Sequence, residues 1–144
     1  IVHVDNFAST DICSLDADIQ DLVLQHAVSN LSNEVITTNV VSVNSLQYEE
    51  GMLLILGFHH GNPIFGEIKF IVLSDCITHP YFVVRSWYSD LVQEGYTYKL
   101  GKEGPHAIVQ IEKCKDYYPL SSYNVQDDRL VSLKHIVIDK SDFE

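Results

Sequence analysis

At 144 residues, with 46% hydrophobic and 20% charged content, the chain has the composition of one folded domain rather than a disordered tail. Its net charge of −11 argues against non-specific nucleic-acid binding, which draws its affinity from Lys and Arg. The longest apolar run, Met52 to Phe58, falls far short of a membrane span, and three widely spaced cysteines (Cys13, Cys76, Cys114) argue for a reducing compartment over a disulfide framework.

In chain order, Ile1 to Thr10 alternates briefly and reads as an edge strand or an unstructured lead-in. Ser14 is placed to cap a helix whose first turn carries Asp16 and Asp18, where the helix dipole favours negative charge. Leu15, Ile19, Leu22, Val23 and Ala27 recur at helical spacing, which predicts one helix over Leu15 to Val28. Val35 to Val43 is β-branched and suits a pleated surface. Asn44-Ser45 and Glu49-Glu50-Gly51 are turn candidates around Leu46-Gln47-Tyr48. Met52 to Phe58 is an apolar strand, and His59 to Pro63 is a loop.

Ile64 to Leu73 is the next strand, with Phe65, Glu67, Lys69 and Ile71 on one face and Gly66 suggesting a bulge. Tyr81 to Tyr88 is a strand with Arg85 in its middle, and a connection follows from Ser89-Asp90 to Glu94-Gly95. Tyr96 to Leu100 and Ala107 to Glu112 are strands around a turn at Gly101 to Pro105. Tyr117 to Leu120 is extended, Leu130 to Ile138 is a last strand, and the tail from Asp139 is charged. Roughly six to eight short strands at regular intervals predict a mainly β fold. The expected architecture is a small antiparallel β-barrel or strongly twisted sheet with one N-terminal helix. It forms a single domain over 1–144, with a helical segment at 1–33 and a β-rich core at 34–138.

Charge is unevenly spread: nine acids precede the first basic residue, Lys69. Such a face attracts basic partners, or simply keeps the domain soluble. A local basic patch at Lys99, Lys102, Lys113 and Lys115 is the residual route to nucleic acid. Seven histidines raise the question of a metal, but only His59-His60 and Cys76-x-x-His79 are closely spaced, and no second pair completes a zinc set. Asp16-Ala17-Asp18 lacks the Gly and distal Glu of a calcium loop. There is no G-x-S-x-G elbow, phosphate-binding glycine loop or H-E-x-x-H. No catalytic residue, metal ligand or cofactor is therefore assigned. Asn30-Leu31-Ser32 is a glycosylation sequon that matters only in a secreted chain.

The aromatic residues carry the binding expectation. Trp87, Tyr88, Tyr96 and Tyr98, with Glu94 as the acid, are the candidate binding residues; Glu49 and Glu50 are alternative acids. Aromatic rings beside a carboxylate at a loop mouth suit a peptide cation or a proline-rich strand. Most of these rings are nonetheless expected in the barrel core. Trp87 and Tyr88 should point to opposite faces of their strand.

One spaced series supports a family reading: Tyr48-Glu49-Glu50-Gly51, Leu53 to Gly57, Gly61-Asn62-Pro63-Ile64-Phe65-Gly66-Glu67-Ile68, Phe82-Val83-Val84 and Tyr96-Thr97-Tyr98-Lys99. It resembles a β-barrel domain near the end of uncharacterised animal proteins associated with mobile elements. It is also distantly similar to the bromo-adjacent-homology and Tudor-like barrels of chromatin proteins. Where the first group has a histidine-bearing segment before the aromatic pair, this chain has Glu94-Gly95. The resemblance implies a barrel used for interaction in a nuclear or genome-associated protein.

Three functions are therefore weighed. The leading expectation is a non-enzymatic protein-interaction module that binds a protein or basic peptide through an aromatic and acidic mouth. The first alternative is an architectural or oligomerisation domain, making contacts with its own copies or with its parent chain. The second is an enzyme whose carboxylate or histidine site assembles only in space. The chain begins at Ile1 rather than Met, as expected of a processed product or fragment, and shows no basic n-region or apolar h-region. An intracellular location, cytoplasmic or nuclear, without a membrane span is expected.

Overall fold

The computed structural model describes residues 2–4, 6–26, 34–73, 80–93, 97–110 and 118–133. In chain order they form β1 (Val2–His3), β2 (Ala8–Asp11), α1 (Ala17–His26), β3 (Glu34–Thr38), β4 (Val40–Val43), β5 (Leu46–Glu49), β6 (Leu53–His59), β7 (Asn62–Leu73), β8 (Tyr81–Gln93), β9 (Thr97–Gln110), β10 (Ser122–Val125) and β11 (Asp128–Ser132). Two sheets result. One is three-stranded, in the order β1-β4-β5; the other has eight strands, in the order β10-β11-β9-β8-β7-β3-β2 with β6 also paired to β7. All pairings are antiparallel. The larger sheet curls strongly into a half-barrel.

Local chemistry sets the reversals. Asn44 and Ser45 both take positive φ between Val43 and its partner Leu46, as do His60 and Gly61 between His59 and Asn62. Two-residue turns of this hand match the twist of the strands they join. The loop expected over His59 to Pro63 is thus only two residues long, and Pro63 already belongs to β7. Ahead of the helix, Asp11 caps a 3₁₀ turn in which Ser14, the expected helix cap, is the last residue. The Asp11 carboxylate accepts from Cys13 N at 2.9 Å and closes this turn, Ile12–Ser14, while the Ser14 hydroxyl donates to Asp11 O at 2.6 Å. The α-helix itself starts two residues later than expected, with Gln20 N donating to Asp16 O.

Bulges produce the curl. Between Arg85↔His106 and Ser89↔Leu100, β9 carries two more residues than β8. They fall in the segment Gly101 to Pro105, which sequence reading takes for a turn and which is instead the bent middle of one 14-residue strand. Each inserted residue kinks the strand and adds twist, and glycines make the bend sterically cheap. A side chain at Gly104 would meet Ser86 Cβ at 3.1 Å. The bulge expected at Gly66 lies one strand over, at Leu56 in β6, where Ile55 faces Phe65 and Gly57 faces Ile64. Gly66 gives that Leu56 its room, since an added Cβ would sit 2.8 Å from Leu56 Cδ2.

The curl divides the core into three parts. On the outer face of the larger sheet, Leu54, Ile68, Ile71, Leu73, Phe82 and Val84 pack against Val41, Val43 and Tyr48 of the small sheet. On the inner face, Ile12, Ile19 and Val23 cover Val35, Val72 and Val83. Further along that face, Leu53, Phe65, Tyr98, Leu100, Val131 and Leu133 meet one another across the curl. One antiparallel bridge helps to close this end: Leu53 and Leu120 exchange both backbone hydrogen bonds, at 2.8 and 2.9 Å. Leu120 lies just before β10, so the bridge ties the β6 edge to the chain entering the far edge strand.

Among the described residues, no helix is long and apolar enough to cross a membrane. The sequon, Cys76, His79, Cys114, Lys113, Lys115, His135 and the tail lie outside the described residues.

Candidate functional site

Side chains alternate along a strand, so β7 sends Phe65 and Glu67 to the inner face and β8 sends Arg85 and Trp87 there. β11 sends Arg129 and Val131 to the same interior. In sheet order β7 and β11 are separated by both β8 and β9. Glu67 and Arg129 can therefore meet only across the hollow of the curled sheet, and they do. Arg129 Nη1 donates to Glu67 Oε1 at 3.1 Å and Nη2 to Oε2 at 3.2 Å. Trp87 Nε1 donates to Glu67 Oε1 at 3.1 Å, and Lys69 Nζ stands 3.5 Å from the same oxygen. The remaining guanidinium nitrogen, Arg129 Nε, donates to Ser122 Oγ of β10 at 2.8 Å, and Cζ lies 6.0 Å from the centre of the Trp87 ring.

The electrostatics follow from this crowding. Burial, with the Glu67 side chain only 14% exposed, pushes its carboxyl pKa up. The hydrogen bonds and charge of Arg129, then the Lys69 charge and the Trp87 indole, more than offset burial and hold it below its ordinary value of 4.5. Two-point contact with a carboxylate and a ring face above the cation is the geometry that selects a guanidinium over a point charge. Glu67 and Trp87 thus hold the chain's own Arg129 guanidinium across the hollow of the half-barrel.

No known protein family, curated protein or solved structure matches this chain.

Of the residues singled out from sequence, Trp87 belongs to this network. Tyr88 lies on the opposite face, as strand alternation requires, with its ring 5.2 Å from His59, whose ring is 4.0 Å from that of His60. Tyr98 is only 9% exposed and packs on Phe65 at 6.3 Å. It is a core residue rather than part of an open patch, because β9 turns it inward toward Val131 and Leu53. Tyr96 and Glu94 lie outside the described residues. Glu49 and Glu50, with Asn39, Val40 and Gln47, line a shallow depression of about 450 Å³ on the small sheet, and no aromatic side chain is among its walls.

Sequence reading misses Glu67 and Arg129. A signal for Glu67 exists: an acid between Phe65 and Ile68 in a long apolar strand needs a partner. Nothing local names Arg129 as that partner, 62 residues away.

A second polar contact ties the helix to the sheet. His106 Nδ1 of β9 lies 2.5 Å from Asp18 Oδ2 of α1, with the histidine side chain 5% and the aspartate 57% exposed. The His106 hydrogen bond holds the Asp18 carboxyl below its ordinary value of 3.8. Among the described residues, no three His, Cys, Asp or Glu side chains lie together as a metal site would require.

Proposed function

We propose that this chain is a non-enzymatic protein-interaction module that receives a basic peptide at the mouth formed by Trp87 and Glu67. One observation carries the reading: a carboxylate and an indole hold a guanidinium there, with both carboxylate oxygens engaged. The chain's charge of −11 would draw such a peptide in and make its capture depend on salt.

Trp87 is the single tryptophan of the chain, so fluorescence excited selectively in the indole, apart from the eight tyrosines, reports on the mouth. Titration with an arginine-rich peptide should change that fluorescence saturably, and less as salt rises. The same peptide with citrulline for arginine should do nothing. An unchanged Trp87 signal at all peptide concentrations would sink the reading.

An architectural role is favoured by a separate observation. Among the described residues β10 ends its sheet, carries no charged side chain, and leaves Tyr123 43% and Val125 48% exposed. An edge strand without charged side chains is a template for another strand. Light scattering after size-exclusion chromatography decides this reading: a dimer lost on Val125→Lys supports it, and a monomer at all concentrations removes it.

A further inference from the structure

We infer that Arg129 is a built-in competitor: its side chain occupies the site that a partner's arginine takes, and binding proceeds by exchange of one guanidinium for the other. This rests on the reading of the mouth given above and names both the partner's chemistry and the site's regulation.

Three features support exchange over permanent closure. First, one carboxylate oxygen stays partnered when Arg129 departs, and the other is freed for the incoming donor. Glu67 Oε1 would keep Trp87 Nε1 at 3.1 Å and Lys69 Nζ at 3.5 Å, while Oε2, held by Arg129 Nη2, would be open to the partner's second N–H. Second, Arg129 reaches the site from the rim. Its side chain is 28% exposed against 14% for Glu67, so the cation lies nearer to water than the acid it covers. Third, Arg129 stands on a strand whose backbone pairing does not depend on its side chain, so leaving gives up only the Nε bond to Ser122 Oγ besides the Glu67 and Trp87 contacts. Leu130, Val131 and Ser132 pair with Lys99, Tyr98 and Thr97, and Val131 is fully buried. The side chain can therefore swing out by rotation about its own bonds while β11 stays in place.

The incoming group must reproduce two parallel N–H donors and a flat cation beneath the indole. Arginine does so and lysine does not, since an ammonium offers no planar fork. The partner is therefore an arginine-bearing peptide rather than a generally basic one. Because the competent state is the minority in which Arg129 has left, the observed affinity is the intrinsic affinity reduced by that fraction.

The test is Trp87 fluorescence titration of the whole chain with an arginine-rich peptide and its lysine counterpart, on the native protein and on Arg129→Met, Arg129→Lys and Glu67→Gln. Methionine keeps the alkyl packing and removes the competitor, so Arg129→Met should bind the arginine peptide about tenfold or more tighter than the native chain. Arg129→Lys, a single-point competitor, should also bind more tightly and serves if the methionine variant does not fold. Lysine peptide should trail arginine peptide throughout, and Glu67→Gln should abolish the difference. If native and both Arg129 variants bind equally, and Glu67→Gln binds none, the mouth reading stands and the competitor falls. If no variant binds, the mouth reading fails and takes this inference with it.

Discussion

Val83 and Trp87 stand on the same face of β8, yet they end in different surroundings. Val83 lies under α1, in a cluster of Ile12, Ile19, Val23, Val35 and Val72 that is closed by apolar contact. Trp87 lies at the mouth, where the sheet curls over itself and an ion pair from β7 to β11 spans the gap. Between them Arg85 turns sideways, donating to Gly104 O at 3.0 Å in the bent part of β9. One half of the inner face is thus covered by a separate element, and the other by the sheet's own far strands and a polar clasp. Apolar contact is indifferent to what covers it so long as water is excluded. A bidentate pair specifies the group it holds, which is why the proposed peptide site is placed at the mouth.

The largest expected effects come from truncating the core of each half. Phe65 is fully buried at the mouth and Val23 is fully buried under the helix. Phe65→Ala should destabilise by about 3–5 kcal/mol and Val23→Ala by roughly 1.5–3 kcal/mol in urea unfolding. The mouth variant should also shift Trp87 emission toward that of water-exposed indole, because Trp87 packs in the cluster Phe65 fills. An emission shift of equal size in Val23→Ala would show the two halves to be one mechanical unit and remove the contrast.

The clasp is tested by pH. The folded-state pKa of Glu67 lies below its ordinary 4.5, held there by Arg129 against burial. A carboxylate with a depressed folded-state pKa stabilises the fold fully above its unfolded-state value. That stability is lost as pH falls through the lower, folded-state value. The Glu67 contribution to unfolding free energy should therefore hold steady down to about 4.5 and decline below it. Glu67→Gln should cost about 1–2 kcal/mol at neutral pH, in line with lost hydrogen bonds to a charged group, and should flatten the decline. A wild-type acid limb retained unchanged in Glu67→Gln would assign that limb to other carboxylates and leave the clasp energetically silent.

The two halves also differ in how far the sequence discloses them. Helical spacing of Ile19 and Val23 and the β-branched run from Val35 announce the covered half, because burial by a separate element needs only local periodicity. At the mouth, local signals mislead. Gly101 to Pro105 has the residues of a turn, yet the structure uses its glycines as bulges inside a strand, since β8 offers a continuous partner on either side. The hairpin at Gln126, which delivers Arg129, has no Gly or Asn-Gly to mark it, although Gln126 adopts positive φ. Trp87 is legible as an aromatic that needs a polar partner for its indole. Its actual acid, Glu67, sits on the neighbouring strand at a register that only the folded sheet defines. Tyr98 reads as a site residue for the same reason: alternation fixes that it differs in facing from Thr97 and Lys99, but not which face is inside.

The smallest effect separates the halves most cleanly. Asp18 and His106 form a polar tie in the covered half, joining α1 to β9. Asp18 is mostly in water, so solvent screens its share of the tie, and it also stands in the first turn of α1, where the helix dipole favours its charge. Both contributions have the same sign, and both vanish in Asp18→Asn. The His106 hydrogen bond holds the Asp18 carboxyl below 3.8, so its stabilisation is present above that value and lost as pH falls beneath it, lower on the acid limb than the onset set by Glu67. Asp18→Asn should therefore lower the melting temperature only slightly and speed amide exchange in α1. Because the clasp lies beyond Arg85 on the same face, Trp87 fluorescence and peptide binding should not move. A change in either would mean that the helix sets the geometry of the mouth, and that the covered half is part of the proposed peptide site rather than its scaffold.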